Sequence, residues 1–137
     1  MKKICSFMLC LSMIIILVSC GGEVEVDLWN TAIYIQDTEL GEGEKTLITE
    51  VIAGEKSVLF TIHTDATTVG EALSEHQLVS GEQGAYGLYI KTVNGITADY
   101  DVNQSYWAIT KDGEYLTSGA DGLEFADGYK FELTYTK

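Results

Sequence analysis

The sequence predicts an α+β fold of β-grasp-like type, a mainly antiparallel sheet with one short helix packed on one face. Three observations lead there. Short runs of alternating apolar and polar residues recur over residues 45–137. Two-residue turn signals join several of these runs. A single stretch carries helical spacing behind a capping sequence, and one helix on a half-buried sheet is a stable two-layer arrangement. Proline is absent, so glycine makes the turns.

At the amino terminus, Lys2 and Lys3 precede Ile4 to Val18, a run that is apolar apart from Ser6, Ser12 and two cysteines. The run is about 15 residues long, short of the roughly 20 that a membrane-spanning helix needs. A positive start, an apolar middle and small residues at the end are the parts of an export signal. The closing Leu17-Val18-Ser19-Cys20 matches the bacterial lipobox. Residues 1–19 are therefore expected to be a lipoprotein signal peptide, with Cys20 the lipidated first residue of the mature chain. Acyl chains contribute about 0.8 kcal/mol per buried methylene, so two or three of them hold a protein firmly. The expected location is extracytoplasmic, anchored by lipid to the bacterial cell membrane.

Composition narrows the chemistry. All three cysteines (Cys5, Cys10, Cys20) lie in the signal or at its end, which leaves no thiol for a disulfide, a zinc cluster or a nucleophile. Loss of residues 1–19 removes two lysines and no acid, leaving six lysines, no arginine and 21 acidic residues. Phosphate backbones need cationic partners, so no nucleic acid is expected to bind. The same charge keeps the body away from anionic headgroups and leaves the acyl chains to do the anchoring.

Residues 20–44 read as a lipid-anchored acidic tether. Trp29 to Ile35 stands out within it as an extra strand or lid packed on the body. The elements of the 45–137 domain then follow in order. Thr46 to Ile52, the Gly54-Glu55 turn and Ser57 to Thr64 form a hairpin with Val58, Phe60 and Ile62 on one face. Thr68 and Glu71 make an S/T-x-x-E capping box, and Val69, Ala72, Leu73 and His76 fall on one helical face. That helix is short and contains Gly70, so packing on the sheet must stabilise it. Leu88 to Val93 and Ile96 to Tyr100 flank Asn94-Gly95, a strong hairpin signal. Tyr106 to Thr110 and Glu114 to Ser118 flank Asp112-Gly113, and a last strand alternates Tyr129, Phe131, Leu133 and Tyr135 with polar residues.

The pieces Thr68-Val69-Gly70-Glu71-Ala72-Leu73, Gly87-Leu88-Tyr89-Ile90, Val93-Asn94-Gly95-Ile96, Tyr106-Trp107-Ala108, Asp112-Gly113-Glu114-Tyr115 and Leu123-Glu124-Phe125-Ala126-Asp127-Gly128, in that order, resemble the transcobalamin C-terminal-like domain, which bacterial lipoproteins carry alone. The resemblance covers roughly residues 45–137. It implies a small β-domain that closes over cobalamin together with a helical barrel; this chain has no such barrel.

A catalytic role has no support in the residue pattern. His63 and His76 have no motif around them; His63 falls on the face of its strand opposite Val58, Phe60 and Ile62, and His76 ends the helix. The pairs Asp99 with Asp101 and Asp121 with Asp127 do not fit a calcium loop and read as solvated turn residues. The chain is expected to be no enzyme, with no catalytic residue, no metal ligand set and no required cofactor.

The aromatic residues Tyr86, Tyr89, Tyr100, Tyr106, Trp107 and Tyr115 gather in the hairpin region. Amphipathic rings with few rotors suit contact with a flat ligand, a sugar or a protein. Successive strand residues point to opposite faces, so Tyr106 and Trp107 cannot both be core. Candidate ligand-binding residues are Tyr86, Tyr89, Tyr106, Trp107 and Tyr115. Two functions follow: a surface-tethered binding module for cobalamin or another flat small ligand, or a structural or adhesive domain that binds protein or glycan at the envelope. A concave aromatic depression favours the first and a flat or edge-strand surface the second.

Overall fold

The computed structural model describes residues 27–85, 87–116 and 119–137. The expected export signal over residues 1–19, Cys20 and Tyr86 lie outside these. The described chain is mainly strand, with a few short helices, and is α+β.

Leu28–Thr31 is a single 3-10 turn capped by Asp27, whose carboxylate accepts from Trp29 N at 3.0 Å. An extended strap leads into β1 (Thr38–Leu40), then β2 (Lys45–Ala53) and β3 (Lys56–Thr64) form the expected hairpin. Its inner face carries Leu47, Thr49 and Val51 from β2 and Val58, Phe60, Ile62 and Thr64 from β3, all buried. The outer face carries Ile48, Glu50, Thr61 and His63, the alternation that a sheet covered on one side requires.

Helix α1 (Val69–Ser74) is capped as its sequence predicts: Thr68 Oγ1 accepts from Glu71 N at 3.2 Å. The returning arm of the box reaches one residue further, Glu71 Oε2 accepting from Thr67 N. The helix ends at Ser74, so His76 sits just beyond it. Gly70 is explained by packing: a Cβ there would stand 2.8 Å from Asp121 N and 2.9 Å from Ala120 C. The glycine lets the helix touch a second 3-10 turn, Ala120–Gly122. Val69, Ala72 and Leu73 are fully buried, and for Leu73 alone this contributes about 1.5–3 kcal/mol.

Past the helix the chain makes β4 (Val79–Gly84), β5 (Gly87–Val93) and β6 (Ile96–Thr97), which form a second, three-stranded sheet ordered β4-β5-β6. The β5–β6 hairpin is the one its Asn94-Gly95 turn signals, whereas β4 and the separation of these strands into a second sheet are not legible in the sequence. At Asn94-Gly95 both φ values are positive, 52° and 81°, as the tight hairpin turn requires. The strand after it is shorter than its sequence suggests, because Asp99 caps a one-turn helix, α2 (Tyr100–Asn103), its carboxylate accepting from Asp101 N.

β7 (Tyr106–Lys111), β8 (Glu114–Tyr115) and β9 (Tyr129–Thr136) complete the main sheet, ordered β1-β3-β2-β9-β7-β8. The closing strand enters the middle. It runs parallel to β2, with Phe131 opposite Thr49 and Leu133 opposite Val51, and antiparallel to β7. β1 is also parallel to its neighbour β3, so the sheet is mixed, with its remaining pairs antiparallel. The core lies between this sheet and α1, where Phe60, Phe131, Leu47, Ile62 and Leu133 are fully inaccessible. Trp29 from the strap belongs to the same core, and its Nε1 donates to Ala53 O at 2.9 Å.

Candidate ligand-binding cleft

β7 separates its first two aromatic residues as strand geometry demands. Trp107 turns inward: it is 6% exposed, its Nε1 donates to Ile96 O at 3.2 Å, and its ring meets Tyr135 edge-on at 5.6 Å. Tyr106, opposite Thr136 on β9, stays half-exposed. Leu116, following β8, donates from its backbone N to Ile109 O, which folds Tyr115 back alongside β7.

Facing β7 across a gap is β5, where Tyr89 pairs with Glu82 of β4. The start of β5 is held by Asp121, whose Oδ1 accepts from Leu88 N at 2.9 Å. Gly87, at φ +104°, has no room for a side chain because the same carboxylate lies where a Cβ would go. The wall of the gap is thus tied through Asp121 to the 3-10 turn that rests on Gly70 of α1.

The gap is a cleft of about 560 Å³. Trp107, Ala108 and Ile90 form its buried floor, Tyr89, Tyr106 and Tyr115 its flanks, with Leu88, Ile109 and Leu116 between them. Tyr89 and Tyr115 are 46% and 66% exposed, open to anything that enters. Partial burial raises the Tyr106 phenol above its ordinary value, and the Tyr115 hydroxyl beside it adds to this. At neutral pH the phenol is therefore a neutral hydrogen-bonding group. At the rim Lys91 Nζ lies 3.3 Å from Glu82 Oε1, which raises the lysine and keeps it charged.

Four of the five candidate residues, Tyr89, Tyr106, Trp107 and Tyr115, thus meet at one cleft; Tyr86 lies outside the described residues. Tyr100 is exposed on α2 and is not part of the lining. Glu82 and the positioning contact from Asp121 were not singled out by sequence. Glu82 lies in an unpatterned polar strand, and Asp121 acts across 33 residues.

The other titratable groups sit elsewhere. His63 Nε2 contacts Glu39 Oε1 at 2.5 Å on the outer sheet face, bridging β3 and β1. His76 Nε2 is buried without a hydrogen-bond partner among the described residues, beside Gly41. Asp127 accepts from Thr46 N at 2.7 Å, so Asp99, Asp121 and Asp127 each hold a backbone N–H while remaining in turns. Among the described residues no group of three or more His, Cys, Asp or Glu is arranged to hold a metal ion.

Residues 66–137 match the model of the family described as Domain of unknown function (DUF4430). No curated protein matches the chain. Among solved structures, it is similar to a protein of Ruminococcus gnavus provisionally described as a metal binding protein, with 44% identity over 69% of this chain and 98% of that one and a TM-score of 0.65. It is also similar in fold to haptocorrin in complex with Cbi, with 18% identity over 68% of this chain and a TM-score of 0.57. The match spans 25% of the haptocorrin chain.

Proposed function

The chain belongs to the family described as Domain of unknown function (DUF4430), and we propose that it is a non-catalytic binding module that takes a flat small ligand, cobalamin among the candidates, in its aromatic cleft. The observation that carries this reading is the convergence of Tyr89, Tyr106 and Tyr115 from three strands on one concave surface over Trp107. Concave apolar walls with a few polar groups are the usual form of small-molecule sites, which supports capture of a ligand over adhesion by a flat face.

The central parallel pair β2·β9, flanked by the β2–β3 hairpin and by β7, supports the β-grasp-like, transcobalamin C-terminal-like reading of the fold. Haptocorrin's complex with Cbi supports a corrinoid as a candidate. The match spans a quarter of haptocorrin, so a corrinoid site of the same extent would need residues beyond the matched region. Among the described residues no group of three or more His, Cys, Asp or Glu supports a metal centre, and the proposal does not include one. The lipobox ending in Cys20 supports a module held at the bacterial cell membrane, facing outward; Cys20→Ala should release it or leave the precursor uncut.

Titration of the purified protein with cobalamin, cobinamide, haem and a glycan panel, followed by quenching of intrinsic fluorescence, tests the reading. Saturable binding of a planar compound that is lost in Tyr106→Ala supports it. Binding confined to glycans, or unaffected by substitution in the cleft, overturns it.

A further inference from the structure

The charge of the cleft and its surroundings is one-sided. Among the described residues that line it none is lysine, arginine or histidine, and Glu82 is the charged one. The ammonium of Lys91, on the same strand as Tyr89, is engaged by that same Glu82. Lys45 lies over the Phe125 ring at 4.3 Å, and Lys111 over the Tyr129 ring at 4.1 Å while donating to Lys130 O. Glu114 precedes Tyr115 on β8, and Asp121 stands against the start of β5. The chain as a whole carries a formal charge of −13.

An anion entering this cleft would lose water and find no cation in the lining, with the rim ammonium of Lys91 already held by Glu82, whereas a cation would meet the negative faces of phenol rings in a negative field. We infer that the cleft selects planar ligands that carry positive charge and rejects planar anions of the same size, an inference that rests on the reading of the cleft as the binding site. The tyrosine hydroxyls supply hydrogen bonds to either kind, so they orient a ligand without setting this preference.

Three probes of one shape separate the terms: 2-naphthylmethylammonium, 2-naphthalenemethanol and 2-naphthoate, titrated calorimetrically into the purified protein at neutral pH and low salt. The ammonium should bind at least about tenfold more tightly than the carboxylate, with the alcohol between them, and the gap should narrow as salt rises. Tyr89→Ala and Tyr106→Ala should each weaken the ammonium compound. Naphthoate binding as tightly as the ammonium, or more tightly, overturns the charge preference and leaves the cleft reading standing. No binding by any of the three overturns the cleft reading and the inference with it. A charge preference that persists undiminished in both tyrosine variants assigns it to the acidic surface at large and overturns the inference.

Discussion

The side-chain amide of Asn94 is paired with the backbone of Tyr34 through two hydrogen bonds of 2.9 Å, Tyr34 N donating to Oδ1 and Nδ2 donating to Tyr34 O. Asn94 is fully buried, and its own carbonyl accepts from Ile33 N at 3.0 Å. A hairpin turn that would ordinarily face water has thus become the socket for the amino-terminal strap. Gly95 completes it, since a Cβ there would collide with Thr31 O.

Asn94→Ala should therefore destabilise the domain by about 1–3 kcal/mol per polar group left unpaired, and the φ of 52° adds to this. Asn94→Gly relieves the backbone term and keeps the loss of the side-chain bonds. If denaturant melts showed both variants as stable as wild type, the strap would not be held by Asn94. Deleting residues 21–44 should lower stability further, because it removes Trp29 from the core and β1 from β3.

Asp121 makes a comparable link at the cleft. Asp121→Ala frees Leu88 N and loosens the wall that carries Tyr89, at a cost of about 0.5–1.5 kcal/mol. Asp121→Asn retains an acceptor oxygen and should recover most of that loss. Faster amide exchange at Leu88 in the alanine variant alone would show the link directly; equal exchange in all three proteins would remove Asp121 from this role.

These two contacts also mark where sequence reasoning stops. The hairpins and α1 are legible because their turns and caps are local: Thr68 with Glu71 and the Asp112-Gly113 pair act within a few residues. The convergence of Tyr89, Tyr106 and Tyr115 follows only partly, since density of aromatic residues says which segments matter but not that β5 faces β7. β4 carries no periodic signal because its residues from Ser80 to Gly84 are exposed, with no buried face to impose a pattern. Asn94 signals a turn whether or not something docks on it. Its partner lies 60 residues away in a segment whose acidic composition reads as a tether.

Alkaline titration reports on Tyr106. Its phenol is raised above the ordinary value of 10.0 by partial burial, with Tyr115 adding to the effect. A raised folded-state value favours the protonated form in the folded protein. The associated stability is present below the unfolded value and is lost as pH rises through the folded one. The absorbance difference between wild type and Tyr106→Phe should show one phenol ionising above the ordinary range. A difference curve centred at or below 10.0 would show that the surroundings do not hold the proton.

The Tyr106-Trp107 pair offers the sharpest separation of core from site, because adjacent residues on one strand face opposite environments. Trp107 is 6% exposed, packed on Tyr135 and hydrogen-bonded through its indole to Ile96 O. Trp107→Ala should cost about 3–5 kcal/mol, the range for removing a large aromatic ring from a core, and most of the loss should appear in the melt. Tyr106 is half-exposed on the cleft flank, so Tyr106→Ala should change stability by less than about 1.5 kcal/mol. Stacking on one ring is worth roughly 1–3 kcal/mol, so the same substitution should weaken a planar ligand about tenfold or more. Tyr106→Ala should thus raise Kd with little change in melting temperature, whereas Trp107→Ala should lower the melting temperature whatever it does to the cleft floor. If Tyr106→Ala instead unfolds the domain while Trp107→Ala melts normally, the two faces of β7 are assigned the wrong way round.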